Sequence, residues 1–213
     1  MKIKPSIGEY YHIYNRGTDK REVFLCGEDR ERFFLSMQEF NSVNPIGSIY
    51  EKGFRRSLGG STSKPDSLVE FVAYCLNPNH YHFILKQVAE NGVAVFMQRI
   101  GTGYTMYFNE KYQRSGALFQ GRYKVKHVST NEYLLHLSAY VNLNFEVHQL
   151  GGSTSKSSWE EYLKKVEKPF CIKDIILGQF PTVFAYESYA RNALKDILKR
   201  RWEEKELDKL LLE

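Results

Sequence analysis

Two adjacent strand-like segments constrain the fold of this chain more than any other feature. Residues 68–76 are rich in β-branched and aromatic side chains, and residues 80–86 have the same character. Asn77-Pro78-Asn79 lies between them, and Asn and Pro are residues that favour a turn between strands. The pattern predicts an antiparallel β-hairpin over residues 68–86.

The other periodic segments place this hairpin in the order β, α, β, β, α, β, which is the split βαβ plan of a ferredoxin-like α+β domain. An antiparallel sheet would then carry helices on one face, and we expect its other face to be free for a ligand. The remaining segments are a strand over 10–14 that stops at Asn15-Arg16-Gly17, helices over 28–41 and 93–107, and a strand over 123–128.

A third helix and a C-terminal helical region follow the sixth element. Ser129 and Glu132 form a capping-box pattern that predicts a helix running to about Asn144. After Gly151 the composition becomes irregular, and a charged helix is predicted from about 187 to 212. We therefore divide the chain into a domain over 1–150, with a flexible loop at 52–67, and a linker with an accessory helical region over 151–213.

Charge indicates a polyanionic partner. The formal net charge is +5, and the segment from Lys111 to Lys126 contains no acidic residue but several aromatic ones. Cations that contact phosphates, next to rings that stack on bases, are typical of a groove for single-stranded nucleic acid. A solvated basic loop is the alternative. The candidate DNA-binding residues of this segment are Lys111, Arg114, Arg122, Lys124 and Lys126.

Membrane and secretory classes are disfavoured. No stretch approaches the roughly 18 apolar residues of a spanning helix, and the N-terminal residues do not lead into a signal-peptide apolar region. The three cysteines are scattered and form no CxxC pair, which fits a reducing compartment. We expect a cytoplasmic protein.

His80-Tyr81-His82 is the first candidate for chemistry. Residues i and i+2 of a strand point to the same side, so both imidazoles would face one surface. Two convergent imidazoles supply much of a metal site, although an HxH pair on an exposed strand also occurs by chance.

The third helix offers polar groups that could complete such a site. Spacings of three, four and four place a polar stripe beside the apolar face of Leu134, Leu137 and Val141. Tyr140 supplies a phenol, or is a half-buried tyrosine with a satisfied hydroxyl, and His136 contacts phosphate or only caps the face. The stripe consists of Tyr133, His136, Tyr140 and Asn144.

Several motifs follow one another along the chain: Asn15-Arg16-Gly17, Val23-Phe24, 29–33, 77–82, 107–109, 114–123, 140–144 and 157–162. Taken in order, these motifs resemble the single-tyrosine HUH transposases, which are IS200-like, and in particular their REP-associated branch. The resemblance implies a ferredoxin-like nuclease domain over 1–150, a divalent metal (Mg or Mn), and a tyrosine that cleaves and rejoins single-stranded or hairpin DNA through a 5′-phosphotyrosine.

Carried over by position, the resemblance makes His80 and His82 the metal histidines, Tyr140 the nucleophile and Asn144 a further metal ligand. Arg16, in the first of these motifs, is a further candidate DNA-binding residue. Phe145 stands where the family usually has proline, so the helix end is expected to differ. The family implies a bacterial or archaeal nucleoid-associated protein, and leaves open whether one chain or a homodimer completes the site.

Other functions share parts of this pattern. A ferredoxin-like sheet can bind RNA as an RRM does, but no basic-Gly-aromatic run lies on a central strand. A replication initiator or relaxase would use the same histidine pair in a longer chain. A domesticated protein that binds repeats without mobilising itself would retain the whole pattern.

Overall fold

The computed structural model describes residues 4–49, 66–150 and 154–210. They contain five strands: β1 (Tyr10–Arg16), β2 (Val69–Asn77), β3 (His80–Gln87), β4 (Lys124–His127) and β5 (Lys156–Ser157). The helices are α1 (Gly27–Glu39), α2 (Gly92–Lys111), α3 (Asn131–Asn142), α4 (Asn144–Val147), α5 (Trp159–Tyr162), α6 (Asp174–Leu177) and α7 (Val183–Leu210). The predicted loop at 52–67 lies almost entirely outside these residues.

The strands form one antiparallel sheet in the order β4-β1-β3-β2-β5. The first four strands follow from the βαββαβ chain order, because each crossover helix inserts a later strand beside an earlier one. The predicted α+β, ferredoxin-like plan is confirmed, with β5 as an additional edge strand.

Alternation along β1 and β3 determines what each face of the sheet carries. Directly opposed residues of antiparallel strands point to the same face. Tyr14 lies opposite His82 on one side and Lys124 on the other, so these side chains share a face. Their neighbours Ile13 and Phe83, also directly opposed, point to the other face.

One face is covered by α1 and α2. Phe33 and Met37 of α1 and Phe96 and Tyr104 of α2 are buried against Phe83 of β3 and its neighbours. Their spacings of three and four residues put them on one side of each helix. Burial of a large apolar side chain contributes about 1.5–3 kcal/mol, so this aromatic layer supplies much of the stability.

The expectation of a free second face is wrong. α3 and α7 cover most of that face, and together with Trp159 and Tyr162 they form a second core with Ile84. Tyr186 of α7 lies at its centre, where its hydroxyl accepts a hydrogen bond from Asn142 Nδ2 at 2.9 Å. These C-terminal aromatic residues follow no simple periodicity, which is why the sequence pattern did not place them.

The C-terminal segment also pairs with the outer edge of β2. The backbone NH of Ser158 donates to the Tyr74 carbonyl at 3.0 Å, and that of Ile172 donates to the Phe71 carbonyl at 2.8 Å. Between them the Tyr162 hydroxyl donates to the Val72 carbonyl at 2.9 Å. Residues from 156 onwards therefore contribute backbone contacts to the sheet as well as a core.

Several element boundaries differ from the prediction. β1 continues through Asn15 and Arg16, because both residues pair with β3. α2 runs past Gly101 and Gly103 to Lys111, since its apolar face is buried along its length. Thr130, and not Ser129, caps α3 by accepting from the Tyr133 backbone NH. No helix within the described ranges is long and apolar enough to cross a membrane.

Candidate active site

Strands β1 and β3 bring three histidines to one end of the second face. Arg16 is paired with His80 and Tyr14 with His82, so the predicted histidine pair shares its face with both. His12 lies two residues before Tyr14 on the same face. The alternation of β1 and the register of the hairpin therefore place the predicted ligands beside a histidine that the sequence analysis missed.

The tautomer of His80 is fixed by its neighbours. Its Nδ1 lies 2.6 Å from Asn79 Oδ1, and the Asn79 Nδ2 donates to the Lys20 carbonyl at 3.2 Å. Because that amide oxygen can only accept, Nδ1 carries the proton. Burial lowers the pKa of His80, so the ring is neutral and its Nε2 is a hydrogen-bond acceptor.

Asn144 places an oxygen in front of that nitrogen. Asn144 begins α4, and its Oδ1 lies 3.1 Å from His80 Nε2. Asn77 Nδ2 donates to this oxygen at 2.7 Å and to His80 Nε2 at 2.9 Å. The Asn77 amide thus donates to both acceptors, and a cation bound by them would take the place of this donor. Asn144 Nδ2 is buried and has no hydrogen-bond partner.

The orientation of Asn77 is fixed as well. Its Oδ1 accepts from Ser155 Oγ at 2.9 Å and from Cys75 Sγ at 3.4 Å, so its Nδ2 points toward Asn144. The sequence analysis treated Asn77 as a turn residue. Its position at the end of β2, directly opposite His80, is what brings it into the site.

His82 forms a stacked pair with His12. His12 Nε2 and His82 Nδ1 are 2.9 Å apart, and the two rings stack with centroids 5.1 Å apart. Burial lowers the pKa of His12 to about 4 and that of His82 well below its usual value. Both rings are therefore neutral at physiological pH, which is the state that a metal ligand requires.

The Tyr140 ring, carried by α3, contacts the rings of His82 and His12. It meets His82 edge-on at 5.4 Å and His12 at 6.3 Å between centroids. Burial raises the pKa of Tyr140, while the nearby Asn144 side chain and the positive charge of Arg201 act in the opposite direction. One chain thus brings together the predicted nucleophile and the predicted ligands, without a second copy.

Two further residues of the site come from beyond α3. The His148 ring contacts that of His80 at 4.6 Å, and burial lowers its pKa to about 4. Arg201 of α7 donates to the Val147 carbonyl at 3.1 Å, and its charge lowers the pKa of His80. No local motif marks either residue, because both depend on how α7 packs against α4.

Three of the predicted DNA-binding residues share the face of the histidines. Arg16 and Lys124 are exposed, and each lies one strand away from His80 or from Tyr14 in the register. Lys126 lies opposite His12, with its Nζ 4.8 Å from the Tyr133 ring. Neighbouring strands are about 4.8 Å apart, so these cations lie beside the histidines on the same face.

The other predicted DNA-binding residues lie elsewhere. Lys111 Nζ pairs with the buried Asp29 carboxylate at 2.8 Å, so it stabilises the contact between α1 and α2. Arg114 binds the Asn109 side chain at 2.6 Å within its own turn. Arg122 stacks on the Tyr123 ring at 5.4 Å, beside a cleft on the opposite face of the sheet.

His136 is half-buried on α3, one turn before Tyr140. Across residues 4–49, 66–150 and 154–210, no group of three or more His, Cys, Asp or Glu side chains is arranged to hold a metal ion. A cation at this site would therefore depend on the two histidines, the Asn144 oxygen and ligands from outside the chain.

The family comparison covers the central part of this site. Residues 61–144 match the family model described as "Transposase IS200 like". That range contains the hairpin with His80 and His82, and it ends at Asn144 after Tyr140. The resemblance to IS200-like transposases is thus confirmed.

A comparison with solved structures gives the same answer for the fold. The chain is similar to the structure described as "Structure of the REP associates tyrosine transposase bound to a REP hairpin", with 11% identity and a TM-score of 0.52. The match covers 82% of this chain and 92% of that one. At this identity it shows a shared fold. No curated protein matches the chain.

Proposed function

We propose that this protein is a transposase-type strand transferase that cleaves and rejoins single-stranded DNA at hairpin or repeat ends. Tyr140 is the nucleophile, and His80, His82 and Asn144 hold a divalent cation. The observation that carries the proposal is the convergence of the Tyr140 ring, the neutral histidine pair and the Asn144 oxygen at one end of the sheet.

The donor set fits a divalent cation. In an octahedral Mg²⁺ site, neighbouring ligand atoms about 2.1 Å from the ion lie about 3 Å apart. The separation of 3.1 Å between His80 Nε2 and Asn144 Oδ1 agrees with two adjacent ligands of one such ion. Imidazole nitrogen by itself favours zinc or another transition metal, and an amide oxygen suits Mg²⁺ or Mn²⁺; Mn²⁺ accepts both kinds of ligand. When bound, the cation would polarise the scissile phosphate and stabilise the charge on the leaving oxygen.

The surrounding side chains orient these ligands. The Asn79 oxygen holds His80 with Nε2 toward the site, as the partners of metal-bound histidines commonly do. The contact between His12 and His82 Nδ1 leaves the other nitrogen of His82 available. Asn77 steadies the Asn144 oxygen through its own amide. The chain thus holds these ligand atoms close together before any ion arrives, with the Asn77 amide as their shared donor.

Tyr140 conserves the energy of the bond that it breaks. Its phenolic oxygen attacks the phosphorus, a tyrosine–phosphate bond forms, and the bond from phosphorus to the 3′ oxygen breaks. The phenol loses one proton and the released 3′ hydroxyl gains one, so the step balances. Attack by a DNA hydroxyl on the 5′-phosphotyrosine reverses it and rejoins strands. Because burial raises the pKa of Tyr140, the proton leaves as the new bond forms.

The charged side chains on this face would hold the DNA. Arg16, Lys124 and Lys126 lie on the histidine side of the sheet. After burial, the positive charge of Lys126 is a further cause of the lowered pKa of His12. Arg201 adds a cation from α7. The neighbour of similar fold is described with a REP hairpin, which supports hairpin DNA as the substrate class here. The enzyme would act on nucleoid DNA in the cytoplasm, as a monomer or a homodimer.

Two alternatives respond differently to the structure. RRM-type RNA binding needs an open sheet face, whereas helices cover most of both faces here, which disfavours it. A domesticated repeat-binding protein would keep the same DNA-binding face, and only strand cleavage distinguishes it from a mobile transposase.

The test is adduct formation with labelled oligonucleotides. Single-stranded and hairpin DNA from the flanks of the gene would be incubated with the full chain and Mg²⁺ or Mn²⁺. We expect a covalent adduct that maps to Tyr140 and disappears with a chelator. Tight binding without any adduct under all conditions would favour the domesticated alternative, and an adduct at another tyrosine would overturn the assignment.

A further inference from the structure

A cleft of about 640 Å³ lies on the opposite face of the sheet from the histidines. One wall is a single side of α2, where Gly101, Thr102 and Thr105 are small. The other wall is the segment 117–123, which contributes Phe119 and Tyr123. Pockets that hold small organic ligands commonly have volumes of about 300–1,000 Å³.

Gly101 at this wall packs against none of the residues that the structure describes. A Cβ placed on Gly101 would meet none of their atoms within 4 Å, whereas one placed on Gly103 would meet the Phe40 ring at 2.7 Å. Glycine is unfavourable inside a helix, so a glycine without a neighbour needs another reason. An open volume reserved for a ligand is such a reason.

The polar and aromatic groups of the cleft match a nucleobase. The half-buried Tyr123 ring can stack on a base, next to Phe119, which is only 8% exposed and belongs to the core. The Gln98 amide lies exposed at the wall. Arg122 is the charged residue of the lining, and no acidic side chain lines the cleft in the described part of the chain. Stacking, an amide edge and one cation are the usual parts of a site for an unpaired nucleotide.

The cleft also lies behind the proposed catalytic site. Asn15 and Tyr81 line it, and both alternate along their strands with residues of the histidine face. Asn15 Nδ2 donates to the Gly121 carbonyl at 3.1 Å, which anchors the far wall to β1. A single strand of DNA that left the histidines and passed around the β4 edge of the sheet would meet the exposed Lys124 and then Arg122.

We propose that this cleft binds an unpaired base of the DNA substrate, outside the nucleotides that contact the catalytic site. The inference rests on the proposed function for the identity of the polymer. The occupant is one nucleotide of single-stranded DNA, held by stacking on the segment 117–123 and by contact between its phosphate and Arg122.

Filling the cleft should remove this contact. Gly101→Leu places an isobutyl group in the open volume, and Glu110→Leu adds the same group to an exposed position of α2 outside the cleft. Both would be made in a Tyr140→Phe background, so that binding is measured without cleavage. A fluorescein-labelled oligothymidylate of about 20 nucleotides is the probe, read by anisotropy.

We expect Gly101→Leu to weaken binding at least about fivefold, the loss of one stacked base, and Glu110→Leu to leave it unchanged or slightly tighter. With 5-iododeoxyuridine at successive positions, a crosslink to the segment 117–123 should appear at one position and vanish in Gly101→Leu. Circular dichroism and thermal unfolding would show that both variants fold.

Equal affinity of Gly101→Leu and the control, with no crosslink in that segment, would overturn the proposal. A concentration-dependent dimer that Gly101→Leu abolishes would also overturn it, because a second copy would then be the occupant. Failure of the proposed function would show separately, as the absence of an adduct in the wild-type chain while the binding difference persists.

Discussion

Strand β3 carries chemistry on one face and stability on the other. His80 and His82 point to the site, whereas Tyr81 and Phe83 between and after them are buried in the aromatic core, exposed to 2% and 0%. The two sets alternate along a single strand, so they share backbone but not surroundings. Substitutions at neighbouring positions of β3 should therefore separate loss of function from loss of fold.

The largest effect should come from the nucleophile. Tyr140→Phe removes only the phenolic oxygen, so we expect covalent adduct formation to fall at least about 10⁴-fold while the fold is retained. Tyr133→Phe on the same helix, under Lys126, is the matched control and should keep its activity. Adduct mapping by mass spectrometry measures both. Normal cleavage by Tyr140→Phe would show that Tyr140 is not the nucleophile.

The stability side is tested by Phe83→Ala. Phe83 is fully buried against Phe33 and Phe71, and truncation leaves a cavity. We expect a loss of about 3–5 kcal/mol in the free energy of unfolding, measured by urea denaturation. His80→Ala should cost much less by the same measurement. Equal losses would show that the two faces are not independent.

His80→Ala tests whether His80 is a metal ligand. It removes one nitrogen beside the Asn144 oxygen, and we expect adduct formation to fall about 100-fold and the required Mn²⁺ concentration to rise. His127→Ala is the control, because that ring pairs with Glu9 at 2.8 Å on the surface. An unchanged dependence on metal concentration in His80→Ala would argue against the ligand assignment.

A fall in pH should lower the stability of the core under α1 and α2 through protonation of Asp29. Burial raises the pKa of this carboxyl, but donors from Lys111, Tyr112 and Leu25 outweigh it, and the pKa is lowered overall. Its contribution to stability is therefore complete above the unfolded pKa, about 3.9, and lost as pH falls through the lower folded pKa.

Asp29→Asn tests this contribution. We expect a loss of about 2 kcal/mol in unfolding free energy at pH 7, shrinking below about pH 4. Thermal melts of both proteins against pH measure it. A gap between the variant and the wild type that stays constant down to pH 2 would contradict the assignment.

The smallest effect concerns the cations of the histidine face. Lys124→Gln should weaken single-stranded DNA binding a few-fold and reduce the salt dependence by about one counterion. Lys195→Gln, exposed on α7, is the control. An equal effect of both substitutions on anisotropy titrations would show that general charge and not the histidine face governs binding.

Local patterns of the sequence predicted most of this framework. Alternation and turn residues predicted the β2–β3 hairpin, and three- and four-residue spacings predicted the faces of α1 and α2. The shared face of His80 and His82 followed from strand geometry, and Tyr140 lies where the polar stripe of α3 meets them. The helix predicted to run to Asn144 ends at Asn142, and Asn144 reaches His80 from the start of α4.

What could not be predicted depends on contacts between distant segments. His12 had a usable signal, since it alternates with Tyr14 on a strand expected beside the hairpin. His148 and Arg201 had none, because the packing of α7 decides their positions. Lys111 was placed in the basic segment by charge alone, and its buried partner Asp29 lies 82 residues earlier in the chain.

The late pairing of β5 with β2 has a consequence for biosynthesis. β2 is almost entirely buried, and its outer edge receives its partners from residues beyond 155. On the ribosome, that edge emerges long before the segment that covers it. A bare apolar edge is a template for pairing with another chain. Truncated or stalled products should therefore aggregate, and chaperone demand should end when the last helices are released.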